Sequence, residues 1–161
     1  MLQRIQSLYL LIAALAIALL FFVTIYQVET TTEPITRVSM SVTTVAVIQS
    51  DSALTAPPQF QLFPFSLNMI LITLIIITIF WYKNRIQQNL LTKLCILLNS
   101  GLIVLLLLST DKLKAMVMST TFTAAFKPGI ILPLISLVLL FLAGRSIMKD
   151  EALVKSADRL R

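Results

Sequence analysis

The chain contains no histidine and a single cysteine, and only 12% of its 161 residues are charged. The missing histidine removes at once the commonest general base and the commonest metal ligand. The one thiol, Cys95, lies inside an apolar run, and a lone cysteine cannot close an internal disulfide. Charge is scarce because 58% of the residues are hydrophobic, giving a mean hydropathy of +0.94. A soluble domain is about half apolar and a quarter charged, so the apolar excess here must face lipid. The net charge of +6 would suggest nucleic acid in a soluble protein. Beside this much apolar sequence it belongs at the cytoplasmic ends of membrane helices, and no nucleic-acid partner is expected.

Four apolar runs are long enough to be read as transmembrane helices, at 7–26, 63–82, 94–110 and 128–146, since about 20 apolar residues cross a ~30 Å hydrocarbon core. A cleaved signal peptide competes for the first run, because Ala16-Ile17-Ala18 resembles a small-residue cleavage site. The apolar sequence continues through Leu19 to Val23, longer than a signal core of about 7–15 residues, which favours an uncleaved anchor. The second run closes on Trp81-Tyr82-Lys83, the aromatics and cation of a helix leaving the bilayer at headgroup level. A short polar connection from Lys83 to Lys93 precedes the third run. Pro128 opens the fourth run, where a missing N–H costs nothing, and Pro133 predicts a modest kink. With a cytoplasmic N-terminus, nine of the thirteen basic residues fall inside: Arg4, then Lys83, Arg85 and Lys93, then Arg145 and four in the tail 147–161. The positive-inside rule therefore places both termini in the cytoplasm, although Lys112, Lys114 and Lys127 sit in one outer loop.

The outer loops are 27–62 and 111–127. In the first, Val38, Met40 and Val42 alternate with polar residues, and Val45 and Val47 continue on the opposite parity. Alternation predicts β structure over 36–49, with a bulge or turn at Thr43-Thr44. No Asn-Gly or Gly-Gly pair marks a tight hairpin, and Pro57-Pro58 ends the extended region. A further short strand is expected within 116–126. The fold expected is an all-α membrane protein: a single integral domain, 1–161, built as a four-transmembrane-helix bundle with a small β-rich extracytoplasmic loop cap.

The start Met1-Leu-Gln-Arg-Ile-Gln-Ser-Leu-Tyr-Leu, the inner Tyr82-Lys-Asn-Arg-Ile-Gln-Gln and the closing Lys149-Asp-Glu-Ala-Leu-Val-Lys-Ser-Ala-Asp-Arg-Leu-Arg together resemble one bacterial family of small four-span membrane proteins. It is number forty-two ninety-three in the domain-of-unknown-function series. The resemblance covers the whole chain and implies an inner-membrane protein of a Gram-negative bacterium; it implies no activity. The order of elements is also similar to that of claudin-like proteins, which is an analogy of fold alone.

Candidate sites are few. Apart from Arg145, next to the last residue of the fourth, the four apolar runs hold no Asp, Glu, Lys or Arg between their ends. Intramembrane charge is the usual mark of ion or proton coupling, so its absence counts against transport, as does the lack of an internal repeat. Asn68, Thr73, Thr78, Asn99, Ser100 and Ser136 are read as the buried polar residues of the runs, and they fit helix–helix hydrogen bonding better than a polar pathway. Met116 and Met118 offer thioethers that Cu(I) accepts, but without a neighbouring Cys or His they read as packing. Asp111, Lys112 and Lys114 read as anchors that set helix depth. In the tail, Asp150, Glu151 and Asp158 match no metal spacing, and Glu151 stands four residues before Lys155, the favourable order of a helical pair. An amphipathic tail helix continuous with the fourth run is expected, with Asp150 on its apolar side and paired to Lys83 or Arg85. No cofactor is expected. A non-enzymatic scaffold or accessory subunit of a membrane complex fits best, contacting lipid and docking a membrane protein through the outer loops or the tail. A small-molecule or lipid transporter and a lipid-modifying enzyme are the alternatives.

Overall fold

The computed structural model describes residues 2–30, 36–49, 56–82, 84–116 and 122–158. Four helices and five strands alternate in the order α1 (Leu2–Leu19), β1 (Tyr26–Thr30), β2 (Thr36–Met40), β3 (Thr44–Gln49), β4 (Ala56–Phe60), α2 (Leu62–Phe80), α3 (Arg85–Met116), β5 (Phe122–Phe126) and α4 (Ile131–Asp158). A 3₁₀ turn, Pro128–Ile130, leads into α4.

Each helix buries one narrow stripe in which steps of three and four residues alternate. In α1 and just beyond it the stripe is Gln6, Leu10, Ala13, Ile17 and Leu20. In α2 it is Pro64, Asn68, Leu71, Ile75 and Thr78. In α3 it runs through Gln88, Thr92, Cys95, Asn99, Leu102 and Leu106, and in α4 through Pro133, Ser136, Leu140, Ala143, Ile147 and Asp150. This is a period of 3.5, which drives helices into left-handed packing at about +20°. The helices form a ring in which each touches two neighbours: α1 with α2, α2 with α3, α3 with α4, and α4 with α1. Large apolar residues such as Ile70, Leu97, Leu108, Val138 and Phe141 point outward and stay exposed, as a lipid-facing surface requires.

The strands form one antiparallel sheet in the order β4-β3-β2-β1-β5. Val38 stands opposite Val47 and Met40 opposite Val45, so the expected alternation over 36–49 becomes a hairpin. The parity switch is its turn. The Ser41 hydroxyl accepts from the Thr44 N–H at 3.1 Å, and the Ser41 N–H donates to the Thr44 carbonyl at 2.9 Å, so a serine turn does the work of the missing glycine. Val28, Val38, Met40 and Val45 are buried in a core shared with the helices. Backbone bonds clamp sheet to bundle: Ile25 N–H to Met40 O at 2.8 Å, Lys127 N–H to Ile25 O at 2.9 Å, and Gln61 N–H to Thr43 O at 2.8 Å.

Two expectations are corrected. The chain is not all-α, because a five-stranded sheet stands on the bundle. Nor does it hold four membrane-length helices. Among the described residues three qualify: Leu62–Phe80, Ile86–Asp111 and Pro128–Asp150. The run 7–26 divides. Its apolar helical part is Ile5–Leu19, about 22 Å long at 1.5 Å per residue and short of the ~30 Å core. The chain then turns, and Tyr26 enters β1 opposite Met40 and Phe126. An apolar run does not distinguish helix from buried strand, and here cross-strand pairing decides the matter.

Two boundaries also shift. The expected polar connection up to Lys93 is helical from Arg85, because Gln88 and Thr92 face the bundle while Ile86, Leu90 and Leu94 face out. Pro133 falls in the first turn of α4, so its missing N–H breaks no mid-helix hydrogen bond and gives no reason for a kink.

Candidate functional site

The polar residues of the buried stripes are where a pathway or a reacting group would lie. Their geometry shows an amide at every helix–helix contact. Asn68 of α2 donates its side-chain N–H to the Ile17 carbonyl of α1 at 3.4 Å. Gln88 of α3 donates to the Thr78 carbonyl of α2 at 3.3 Å. Asn99 of α3 donates to the Pro133 carbonyl of α4 at 3.0 Å. Gln6 of α1 donates to a carboxylate oxygen of Asp150 of α4, which closes the ring. Three of the four acceptors are main-chain carbonyls, so these amides hold backbone to backbone rather than lining a channel.

The hydroxyls point to the same conclusion. Thr73, Thr78 and Thr92 each donate to the carbonyl four residues back in their own helix, at 2.9, 2.7 and 2.8 Å. Ser100 donates to Leu97 at 2.7 Å. Such bonds satisfy the hydroxyl inside lipid and leave no relay of protons between residues. Ser136 is fully buried on the α4 stripe. The Thr78 hydroxyl also lies 3.9 Å from the Cys95 sulfur, across the α2–α3 contact.

Asp150 is 7% exposed and stands at the end of the α4 stripe. The helix runs on past it to Asp158, so span and tail are continuous. Gln6, a partner of Asp150, is absent from the candidates read from the sequence. Lys83 lies outside the described residues, as do the side chains of Arg85, Glu151, Lys155 and Asp158, the remaining members of the expected tail cluster. At the other end of the bundle Lys114 pairs with Asp111 at 3.1 Å, and that hydrogen bond holds the Lys114 pKa above its ordinary value. The side chains of Lys112, Met116 and Met118 lie outside the described residues. Among the described residues no three His, Cys, Asp or Glu side chains come together as a metal site would need.

The sheet offers the second candidate surface. Its two edges differ. The β4 edge carries Pro57 and Pro58, which have no N–H to offer a further strand. The β5 edge, Phe-Thr-Ala-Ala-Phe, is exposed at all five residues, and among the described residues its one strand partner is β1. Lys127 donates its N–H to Ile25. By the alternation of an antiparallel ladder Ala125 and Thr123 face β1 in the same way. The N–H and C=O groups of Phe122, Ala124 and Phe126 therefore point to the open edge. Tyr26 packs on Phe126 with ring centroids 5.0 Å apart, which fixes the end of the strand.

Sequence reasoning missed Gln6 and Gln88. The signal was present: each sits on a three-and-four spacing with apolar residues of its own helix. It also missed β1, which begins at the last residue of the first run, and β4, which contains the proline pair.

Comparison with known sequences adds identity but no chemistry. Residues 2–160 match the family described as Domain of unknown function (DUF4293). No curated protein matches the chain. The match spans nearly the whole sequence, and the chain belongs to this family.

Proposed function

We propose that this member of the DUF4293 family is a non-enzymatic scaffold or accessory subunit of a membrane complex, and that it docks an extended segment of a partner protein on the β5 edge of its sheet. The chain is a multi-pass membrane protein, with three helices of membrane length and apolarity among the described residues. The observation that carries the reading is the open edge: five exposed residues, with the outward N–H and C=O groups of Phe122, Ala124 and Phe126 unused by β1. Strand addition to such an edge draws affinity from main-chain hydrogen bonds and specificity from alternate side chains. Prolines on the opposite edge leave β5 as the side on which a strand would add.

The interior supports a structural role. Asn68, Gln88 and Asn99 spend donors on neighbouring helix carbonyls, a use that favours holding helices together over conducting a solute. The protein would sit in the bacterial inner membrane with the sheet outside and the α2–α3 turn inside. Both chain ends would lie on the cytoplasmic face if the short α1 and the turn after it together cover the thickness beside α4, as the Thr24–Gly129 bond at one end of α4 suits. The Gln6–Asp150 bond, which joins the start of α1 to the far end of α4, agrees with that arrangement.

Ala124→Pro tests the reading, because it removes one outward donor and leaves the donors facing β1 in place. Co-purification from native membranes in mild detergent should recover a partner with the parent and lose it with Ala124→Pro at equal membrane content. Recovery of the same proteins by both chains would refute docking on this edge.

A further inference from the structure

A groove lies where the sheet meets the membrane helices. It has a volume of about 250 Å³ and is walled by Gln59, Phe60 and Gln61 at the end of β4, by Phe63 at the start of α2, and by Leu105 and Ser109 near the end of α3. Its depth can be read from the helices. The membrane-length segment of α2 starts at Leu62 and that of α3 ends at Asp111. Leu105 therefore lies about 9 Å inside that end, at 1.5 Å per residue. The groove descends from headgroup level into hydrocarbon. Gln59 and Gln61 precede the α2 segment and lie at headgroup level. Ser109 lies about 3 Å inside the α3 end, with its hydroxyl donating to the Leu105 carbonyl at 2.8 Å. Leu105 lies deepest of the lining residues.

We infer that this groove holds a phospholipid of the leaflet on the sheet's side, with its glycerol ester region at the Gln59 and Gln61 amides and the upper part of one acyl chain against Phe63 and Leu105. Three observations select this occupant. The groove is continuous with the lipid-facing flank, since Phe63 is 78% exposed and Leu62 66%. The volume is below the ~300–1,000 Å³ of a cleft that encloses a whole small ligand, so it suits part of a molecule whose remainder stays in the bilayer. The polar lining is amide and hydroxyl with no ionised side chain, and the amides suit ester carbonyls as acceptors rather than a phosphate. It follows that the site selects little between zwitterionic and anionic headgroups. The wall is pre-formed, because Phe60 packs on Phe65 at a centroid distance of 5.0 Å, and Phe65 on Phe21 at 5.7 Å. The inference stands independently of strand docking at β5, which lies on the opposite edge of the sheet.

Two experiments test it on the full chain. The first places a photo-crosslinking residue at Phe63, and separately at the lipid-facing control Leu97, 67% exposed, in nanodiscs of phosphatidylethanolamine with or without phosphatidylglycerol. Lipid adducts should form about tenfold more at position 63, the ratio of a site to annular contact, and equally in both compositions. Equal labelling at the two positions would mean annular lipid only and would overturn the site. Crosslinks from position 63 to protein would assign the groove to a partner helix and overturn it too. The second uses native mass spectrometry of delipidated protein titrated with phosphatidylethanolamine. The parent should retain one lipid, and Leu105→Trp, which fills the groove, should retain about tenfold less at an unchanged melting temperature. Should Leu105→Trp fail to fold, Ser109→Phe gives the same comparison. Equal retention by a folded variant and the parent would refute the proposal.

Discussion

Asn99 of α3 donates its side-chain amide to the main-chain carbonyl of Pro133 on α4, at 3.0 Å and with no exposure to solvent or lipid. The bond ties the middle of one membrane helix to the first turn of the next. Asn99→Ala should cost about 0.6 kcal/mol and at most ~1.7 kcal/mol, the range for interhelical side-chain hydrogen bonds in membranes. Ser100→Ala, which removes a bond inside one helix, should cost less. Unfolding by SDS titration in bicelles would order the two variants, and a Ser100→Ala loss as large as that of Asn99→Ala would contradict the interhelical role.

The Gln6–Asp150 contact makes a different prediction, because one partner is a carboxylate. Removing one partner of a buried hydrogen bond leaves the other to bear its desolvation, whereas replacing both by apolar groups is nearly neutral. Gln6→Leu alone should therefore destabilise by about 1.5–3 kcal/mol, the value for hydrogen bonds to charged groups. Asp150→Leu and the Gln6→Leu/Asp150→Leu double variant complete the comparison, and a coupling of at least about 0.5 kcal/mol is expected between two residues in contact. A double-mutant cycle reads the coupling directly. A double variant less stable than Gln6→Leu would show that Asp150 contributes independently of this amide.

The periodic parts of this protein were legible in its sequence and the contested parts were not. The alternation around Val38, Met40, Val45 and Val47 needed only a parity rule, and the pairing Val38 with Val47 follows it. The runs around Leu71 and Leu140 needed only length. The first run misled because its apolar sequence continues past the end of the helix at Leu19 through a turn and link at 20–25, and only its last residue, Tyr26, is strand. Strand β4 was hidden because Pro57 and Pro58 read as a stop, although an edge strand tolerates proline. The amide ring was half visible. Asn68 and Asn99 stood out inside apolar runs, while Gln6 and Gln88 lay in stretches read as polar flanks, where a glutamine draws no notice until its spacing to the stripe is counted.

The hairpin can be checked one residue at a time. Arg37 and Ile48 are cross-strand partners and both exposed, whereas Val38 is 2% exposed and Met40 fully buried. Cysteines at 37 and 48 should react with a membrane-impermeant maleimide on intact cells of an outer-membrane-permeabilised strain, in a Cys95→Ala background. Cysteines at 38 and 40 should react at least about tenfold more slowly, because reaction requires the thiolate to be accessible. A helical labelling period through 36–49 would contradict the sheet. Labelling only after lysis would contradict the proposed orientation and leave the sheet intact.

The last prediction concerns Gly129, in the 3₁₀ turn where the chain passes from β5 into α4. Its N–H donates to the Thr24 carbonyl at 3.2 Å, two residues before β1, while Lys127 donates to Ile25 beside it. These two bonds dock the start of α4 against the link between α1 and the sheet, and they require close approach of two backbones. A Cβ built on Gly129 would lie 2.5 Å from the Thr24 carbonyl oxygen and 2.9 Å from its carbon. Both are main-chain atoms that no rotamer change can move. Gly129→Ala should therefore push the two segments apart and destabilise by about 1–3 kcal/mol, the usual cost of overpacking. Gly101 and Gly144 serve as internal controls. A Cβ at Gly101 meets nothing within 4 Å, and one at Gly144 comes to 3.5 Å from the Thr92 methyl, an ordinary contact. In mid-helix, alanine for glycine gains up to about 1 kcal/mol of helix propensity. Gly101→Ala and Gly144→Ala should thus raise the melting temperature in detergent or leave it unchanged, and Gly129→Ala should lower it. If all three alanines raised it together, the junction would be looser than this geometry requires, and the clamp between α4 and the sheet would not be the joint that fixes one to the other.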